Sequence, residues 1–174
     1  MKIKFIYIIL IINLFTLILI SCSSNDYNAV MYSKSNDLLL TTFLDDNRVR
    51  GVYYKNPKYI DNETNSDNEY IYDETSPKDR IITIESDDLY KTIFVDNTLN
   101  VDFNKNIIYI YIFADTYPNR NYLIKNVKLD NEKLIIDYKL EGSNKKDSTI
   151  PYQRCLIVVM NKTNASYISF NKIL

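Results

Sequence analysis

Histidine and tryptophan are absent from this chain of 174 residues, and glycine occurs only at Gly51 and Gly142. Without histidine there is no Ser-His-Asp or Cys-His relay and no imidazole ligand for a metal. Two glycines so far apart cannot build a phosphate-cradling loop. An excess of charge of either sign is also missing: 21 Lys and Arg stand against 22 Asp and Glu, with no long basic stripe, which argues against a nucleic-acid partner. Cysteine is limited to Cys22 and Cys155. What the chain has instead is tyrosine, 16 residues, and asparagine, 21 residues.

The longest uncharged run lies at the start. Lys2 and Lys4 precede Phe5 to Ile20, a stretch broken only by Asn13 and Thr16. As a helix these sixteen residues would reach about 24 Å, short of the roughly 30 Å hydrocarbon core of a bilayer. The run therefore reads as a secretion signal rather than a lasting span. Leu19-Ile20-Ser21-Cys22 follows it and resembles the bacterial lipobox. The resemblance implies that the Cys22 thiol takes a diacylglyceryl group, that the Ser21–Cys22 bond is cut, and that the chain is held to a membrane through acylated Cys22. Cysteine suits this role because its thiolate is the strongest nucleophile among ordinary side chains. Ser23 in place of an aspartate tilts the expected location to the outer membrane of a cell envelope.

Removal of residues 1–21 leaves 153 residues at net −3, with 19 basic and 22 acidic side chains, which suits one domain. With Cys22 acylated, Cys155 is the remaining thiol and no internal disulfide can form. Its setting, "QRCLIVVM", reads as a buried strand, so a structural cysteine is expected.

Residues 22–36 are polar and read as a tether; residues 37–174 read as a single β-rich domain. "DLLLTTFL" (Asp37 to Leu44) is too short to assign to helix or strand. "RVRGVYY" (Arg48 to Tyr54) alternates like a strand. Residues 55–78 are dense in Asn, Asp, Glu, Ser and Pro and read as a mobile acidic loop, with a short strand in "EYIYD". "RIITIE" is a strand. In "SDDLYKTIFV" Ser86 is a candidate N-cap, and Leu89/Ile93 and Tyr90/Phe94 would make one apolar face. "NIIYIYIFA" (Asn106 to Ala114) has the β-branched and aromatic content of a central strand. "NYLIKNVKL", the turn "DNE" and "KLIIDYKL" form a hairpin. "PYQRCLIVVM" is a further strand, and "SYISFNKI" an edge strand that closes the sheet. The expected fold is mostly β (α+β): a small antiparallel sheet or sandwich with one short helix.

The order "ITIESDDLYKTIF", "VDFNKNIIYIYIF", "NYLIKNVKLDNEKLIIDYKL" and "TIPYQRCLIVVMNK" resembles the PrcB-like domain over residues 81–162. Val101-Asp102-Phe103, Tyr122, Leu134 and Pro151-Tyr152 stand at the matching steps; Arg120-Asn121 replaces the family's usual glycine pair. The resemblance implies a non-enzymatic envelope lipoprotein that stabilises a partner such as a secreted protease. It brings no catalytic residues and no cofactor.

Other candidate chemistry weighs less. Asp61, Glu63, Asn65, Asp67 and Glu69 alternate as calcium ligands do, but Ser66 replaces the needed glycine and Tyr72 the bidentate glutamate, so no metal site is assigned. Asp45/Asp46 and Asp87/Asp88 are adjacent pairs that spacing alone does not poise for glycosidase work. In "IIYIYIF" the isoleucines Ile108, Ile110 and Ile112 share one face, and Tyr109, Tyr111 and Phe113 the other; the second is read as another core layer. Tyr117, in the loop "DTYPNRN", is the candidate anchor for a protein partner, with little expected from it in the core. The alternative function is a surface lipoprotein that binds a glycan or small ligand through exposed tyrosines. A hydrolase using carboxylates comes third.

Overall fold

The computed structural model describes residues 27–56, 69–96, 99–117, 119–142 and 148–173. The signal, Ser21 and Cys22 lie outside them, as do Asp61 to Asp67 of the acidic loop. The architecture is mostly β, as expected, in three sheets. A four-stranded sheet has the order β1-β8-β5-β4, from Val30–Tyr32 (β1), Asp79–Ile84 (β4), Asn106–Asp115 (β5) and Tyr152–Asn161 (β8). A three-stranded sheet has the order β6-β7-β9, from Tyr122–Asp130, Lys133–Leu140 and Tyr167–Lys172. Tyr53–Lys55 (β2) and Tyr70–Tyr72 (β3) form a separate antiparallel ribbon. Two α-helices, Thr41–Asp46 (α1) and Asp87–Ile93 (α2), replace the single helix expected, and a 3-10 turn covers Asn36–Leu38.

β5 is an interior strand, paired with β4 on one side and over ten residues with β8 on the other. Its period-two pattern gives each face to a different layer. Ile108, Ile110 and Ile112 are fully buried against Leu39, Val49, Val52, Tyr90, Ile93 and Phe94. Each isoleucine removed from water contributes about 1.5–3 kcal/mol before entropy is counted. Tyr109, Tyr111 and Phe113 pack on the second sheet, so the tyrosine face is a core layer. Tyr111 lies flat on Phe170, with centroids 4.6 Å apart and planes at 4°, while Tyr122 and Tyr138 meet edge to face at 5.4 Å. Offset and edge-on contacts of this kind suit the ring quadrupoles.

Helix α2 starts as its sequence predicts. The Ser86 hydroxyl accepts from the Leu89 N–H, and Asp87 pairs with Lys91 one turn on. Its apolar face is narrower than expected. Tyr90, Ile93 and the following Phe94 are buried, but Leu89 is exposed. Seven residues make barely two turns, and only one side of them can meet the sheet.

The run 37–44 resolves into the 3-10 turn and α1, because Leu38, Leu39, Phe43 and Leu44 all reach the core above the isoleucine face. "RVRGVYY" is strand only from Tyr53; Val49 and Val52 before it are buried, and Gly51 takes φ +94°, a conformation costly for any residue with a Cβ. The expected tether ends sooner than residue 36. The Asn161 N–H donates to the Tyr27 carbonyl, β1 pairs with Val159, Val158 and Ile157, and Ser35 is buried. The latter part of the expected mobile loop is also built into the domain: beyond β3, Asp73 is buried and Pro77 accepts from the Arg50 N–H. β9 is an edge strand, but it joins β7 in parallel and completes the second sheet.

Candidate functional site

Side chains that come together from distant segments mark the N-terminal end of β8. Tyr53, Tyr70, Ile150, Pro151 and Tyr152 line a groove of about 390 Å³. Tyr53, Tyr70, Tyr72, Ile150 and Tyr152 all stand substantially exposed. Tyr53 and Tyr72 are register partners whose rings lie 5.0 Å apart. Lys55 pairs with Tyr70, so Tyr53, Tyr70 and Tyr72 share one face of the ribbon. Tyr54 is on the other face, under the Arg48 guanidinium at 3.9 Å.

The ribbon is short, yet firmly held. Backbone bonds from Gly51 N to Asp73 O, Asp73 N to Val52 O and Asn56 N to Glu69 O extend the pairing past both ends of the strands. The Asp73 carboxylate accepts from the Thr75 and Ser76 N–H groups and from the Ser76 hydroxyl. Burial opposes its ionisation, but the Ser76 and Thr75 hydrogen bonds outweigh that and hold its pKa below the usual carboxylate value. Arg80 Nε donates to the Arg48 carbonyl at 2.9 Å and ties the base of the ribbon to β4.

Two recesses adjoin the groove. One, of about 310 Å³, is lined by Lys34, Asn36, Asp37, Asn119 and Arg154 as well as Tyr152 and Gln153. The other, of about 260 Å³, shares Tyr53 with the groove and Asn36 and Gln153 with the first recess. Asn36 and Gln153 are already committed within the fold. Asn36 bonds the backbone of β8, and Gln153 spans the Leu44 carbonyl at 2.9 Å and the Val49 N–H at 3.3 Å. The side chains left to meet a ligand are therefore chiefly the tyrosines, Lys34 and Asp37.

Tyr117 is placed differently from the expectation. It is half-buried, packs against the aromatic core of Tyr111, Phe113, Tyr122 and Tyr138, and lies 4.8 Å beneath the Lys172 ammonium. It contributes to the core, contrary to the slight contribution expected of a loop residue, because its loop folds back over the end of the sandwich. Beside it, Tyr122 Oη donates to Asp115 at 2.6 Å and accepts from Lys172 Nζ at 3.1 Å.

Cys155 is wholly buried, and burial pushes its thiol up to about 12. Asp45 pairs with Arg48 at 3.2 Å on the surface, and Asp87, in the first turn of α2, pairs with Lys91. Among the described residues no group of three or more His, Cys, Asp or Glu is placed to hold a metal ion. Nor, among them, is any helix long and apolar enough to cross a membrane. The groove tyrosines were hidden in the sequence because they come from three separate segments. The available signal was Tyr-x-Tyr in "EYIYD", which puts two rings on one strand face.

No family model matches the chain, and neither does any curated protein or solved structure.

Proposed function

We propose that this chain is an acylated lipoprotein of a bacterial cell envelope that binds another envelope protein through the tyrosine groove, as a non-enzymatic accessory subunit. The observation that carries the binding reading is the grouping of exposed Tyr53, Tyr70, Tyr72, Ile150 and Tyr152 around one groove. Aromatic residues dominate the energetics of protein interfaces, since they bury much area with little loss of side-chain freedom. The anchor rests on Lys2 and Lys4, the apolar run and Leu19 to Cys22. The partner class, a secreted protease or other envelope protein, rests on the PrcB-like order of residues 81–162.

The test is a photo-crosslinker at position 152 in native membranes. It should capture one protein reproducibly, and deletion of this chain should lower the abundance of that protein. Cys22→Ala should abolish fatty-acid labelling and leave the precursor uncut. If no protein is captured and deletion changes no envelope protein, the accessory reading fails.

A second reading takes the same surface as a glycan or small-ligand site. It is favoured by the polar recess beside the groove, since sugar rings stack on tyrosines while their hydroxyls need charged and polar partners such as Lys34 and Asp37. Saturable binding of envelope glycan fragments, lost in Tyr152→Ala, would favour it over the first.

A further inference from the structure

The register places the groove and Tyr27, the first described residue, at opposite ends of one strand. Tyr27 meets Asn161 at the C-terminal end of β8, and Tyr152 lines the groove at its N-terminal end. β8 has ten residues, so at about 3.3 Å per residue the two ends lie ~30 Å apart. The other strands agree. Asn106 pairs with Asn161 and Asp115 with Tyr152, which puts Lys105 at the first end and Thr116 at the second. The β6–β7 turn at Asn131 also belongs to the first end, since Glu132 accepts from the Ser166 and Tyr167 N–H groups and Val127, Leu134 and Ile136 pack with Ile107 and Met160.

From Cys22 to Tyr27 is five residue steps, which span at most about 18 Å even when fully extended. That is shorter than β8. We infer that the end of the domain built from Lys105, the Asn131 turn and Lys162 to Tyr167 faces the lipid headgroups, and that the tyrosine groove is held on the side away from the bilayer. This rests on the lipoprotein reading. The membrane-facing end has suitable chemistry. Tyr167 is 69% exposed, and its register partner Lys133 and the exposed Lys105 and Lys162 accompany it. Tyrosine and lysine both place a polar tip among headgroups above an apolar body. Asp102, Asp130 and Glu132 lie at the same end, so attraction to anionic lipid is largely offset and the short tether sets the orientation. A groove that faces outward meets proteins before it meets lipid.

The test uses the full chain, acylated in a bacterial host and reconstituted into vesicles of phosphatidylethanolamine and phosphatidylglycerol with a headgroup-bound energy acceptor. A donor dye is attached at Lys162→Cys or, separately, at Thr149→Cys; Cys155 is buried and stays unlabelled. Transfer should be several-fold greater from position 162. A flexible Gly-Ser insert of about twenty residues after Ser23, spanning ~25 Å, should remove the difference. Equal or reversed transfer from chains that carry acyl groups and float with the vesicles overturns the orientation alone. A difference that survives the insert overturns the tether as its cause. Chains that carry no acyl group overturn the lipoprotein reading and this inference with it.

Discussion

Tyr122 donates its hydroxyl to the buried carboxylate of Asp115 at 2.6 Å, across the end of the aromatic core. The Thr116 N–H binds the other carboxylate oxygen at 2.8 Å, and Lys172 reaches Tyr122 Oη from the last strand. One phenol thus links β5, β6 and β9. Tyr122→Phe should cost about 1–3 kcal/mol, the range for leaving a buried acceptor short of its donor. Denaturant unfolding measures it. Tyr122→Phe with Asp115→Asn should lose less than the sum of the single changes, since each removes the same contact.

The Asn36 amide continues the pairing of β1 along β8. Its Nδ2 donates to the Gln153 carbonyl at 2.8 Å and its Oδ1 accepts from the Cys155 N–H at 3.1 Å, much as a strand backbone would. Asn36→Ala leaves both groups without these partners and should cost about 1–3 kcal/mol. Faster amide exchange at Cys155, against an unchanged rate at Ile157, would place the loss locally.

Acid should weaken the ribbon first. Unfolded Asp73 ionises near its ordinary 3.8, while the folded carboxyl is held lower. Its contribution is therefore complete above about pH 4 and disappears as pH falls through the folded value. The stability difference between the protein and Asp73→Asn should shrink across that interval in denaturant melts.

Alkali acts on the tyrosine layer with the opposite sign. Burial raises the pKa of Tyr109, Tyr111, Tyr122 and Tyr138, Tyr111 to about 12. These phenols are neutral when folded and begin to ionise near pH 10 when unfolded, so stability should decline as pH rises from about 10. Absorbance near 295 nm should show these four titrating late, together with loss of structure. Cys155, pushed up to about 12, should stay inert to thiol reagents at pH 8 until the protein unfolds.

Tyr117 and Tyr152 should separate folding from binding. Tyr117 is packed between Lys172 and the aromatic core, so Tyr117→Ala should lower stability by more than 1 kcal/mol, toward the cost of other core truncations. Tyr152→Ala, at an exposed ring, should stay within about 0.5 kcal/mol of the parent while reducing partner capture.

Strands and the hairpin were legible where the signal is local. Asn106 to Asp115 declares its two faces by alternation, and the β6–β7 turn rests on Asn131 at φ +53°, a conformation asparagine tolerates. β1 was not legible, because it is only three residues long, too short for alternation to show, and its partners lie far off at Ile157 to Val159. The parallel direction of β9 was not legible either: alternation reports which side is buried, never which neighbour is met. The groove shares that difficulty, since Tyr53, Tyr70 and Tyr152 become neighbours only through long-range pairing. The likeness of Tyr117 to an exposed loop anchor failed because loop residues can close over the end of a sandwich.

The antiparallel match of Val30 to Val159 also sets an order of events. β1 has no strand partner until most of the chain exists, and the Asn36 side-chain amide has neither of its β8 partners before Gln153 and Cys155. Closing so long a loop is slow relative to forming the local β6–β7 hairpin. A chain that crosses a membrane from its N-terminus would therefore emerge with its first strand still unpaired. In such a chain the domain would lock only after its last strands had followed, so this strand order would delay closure until passage was nearly complete.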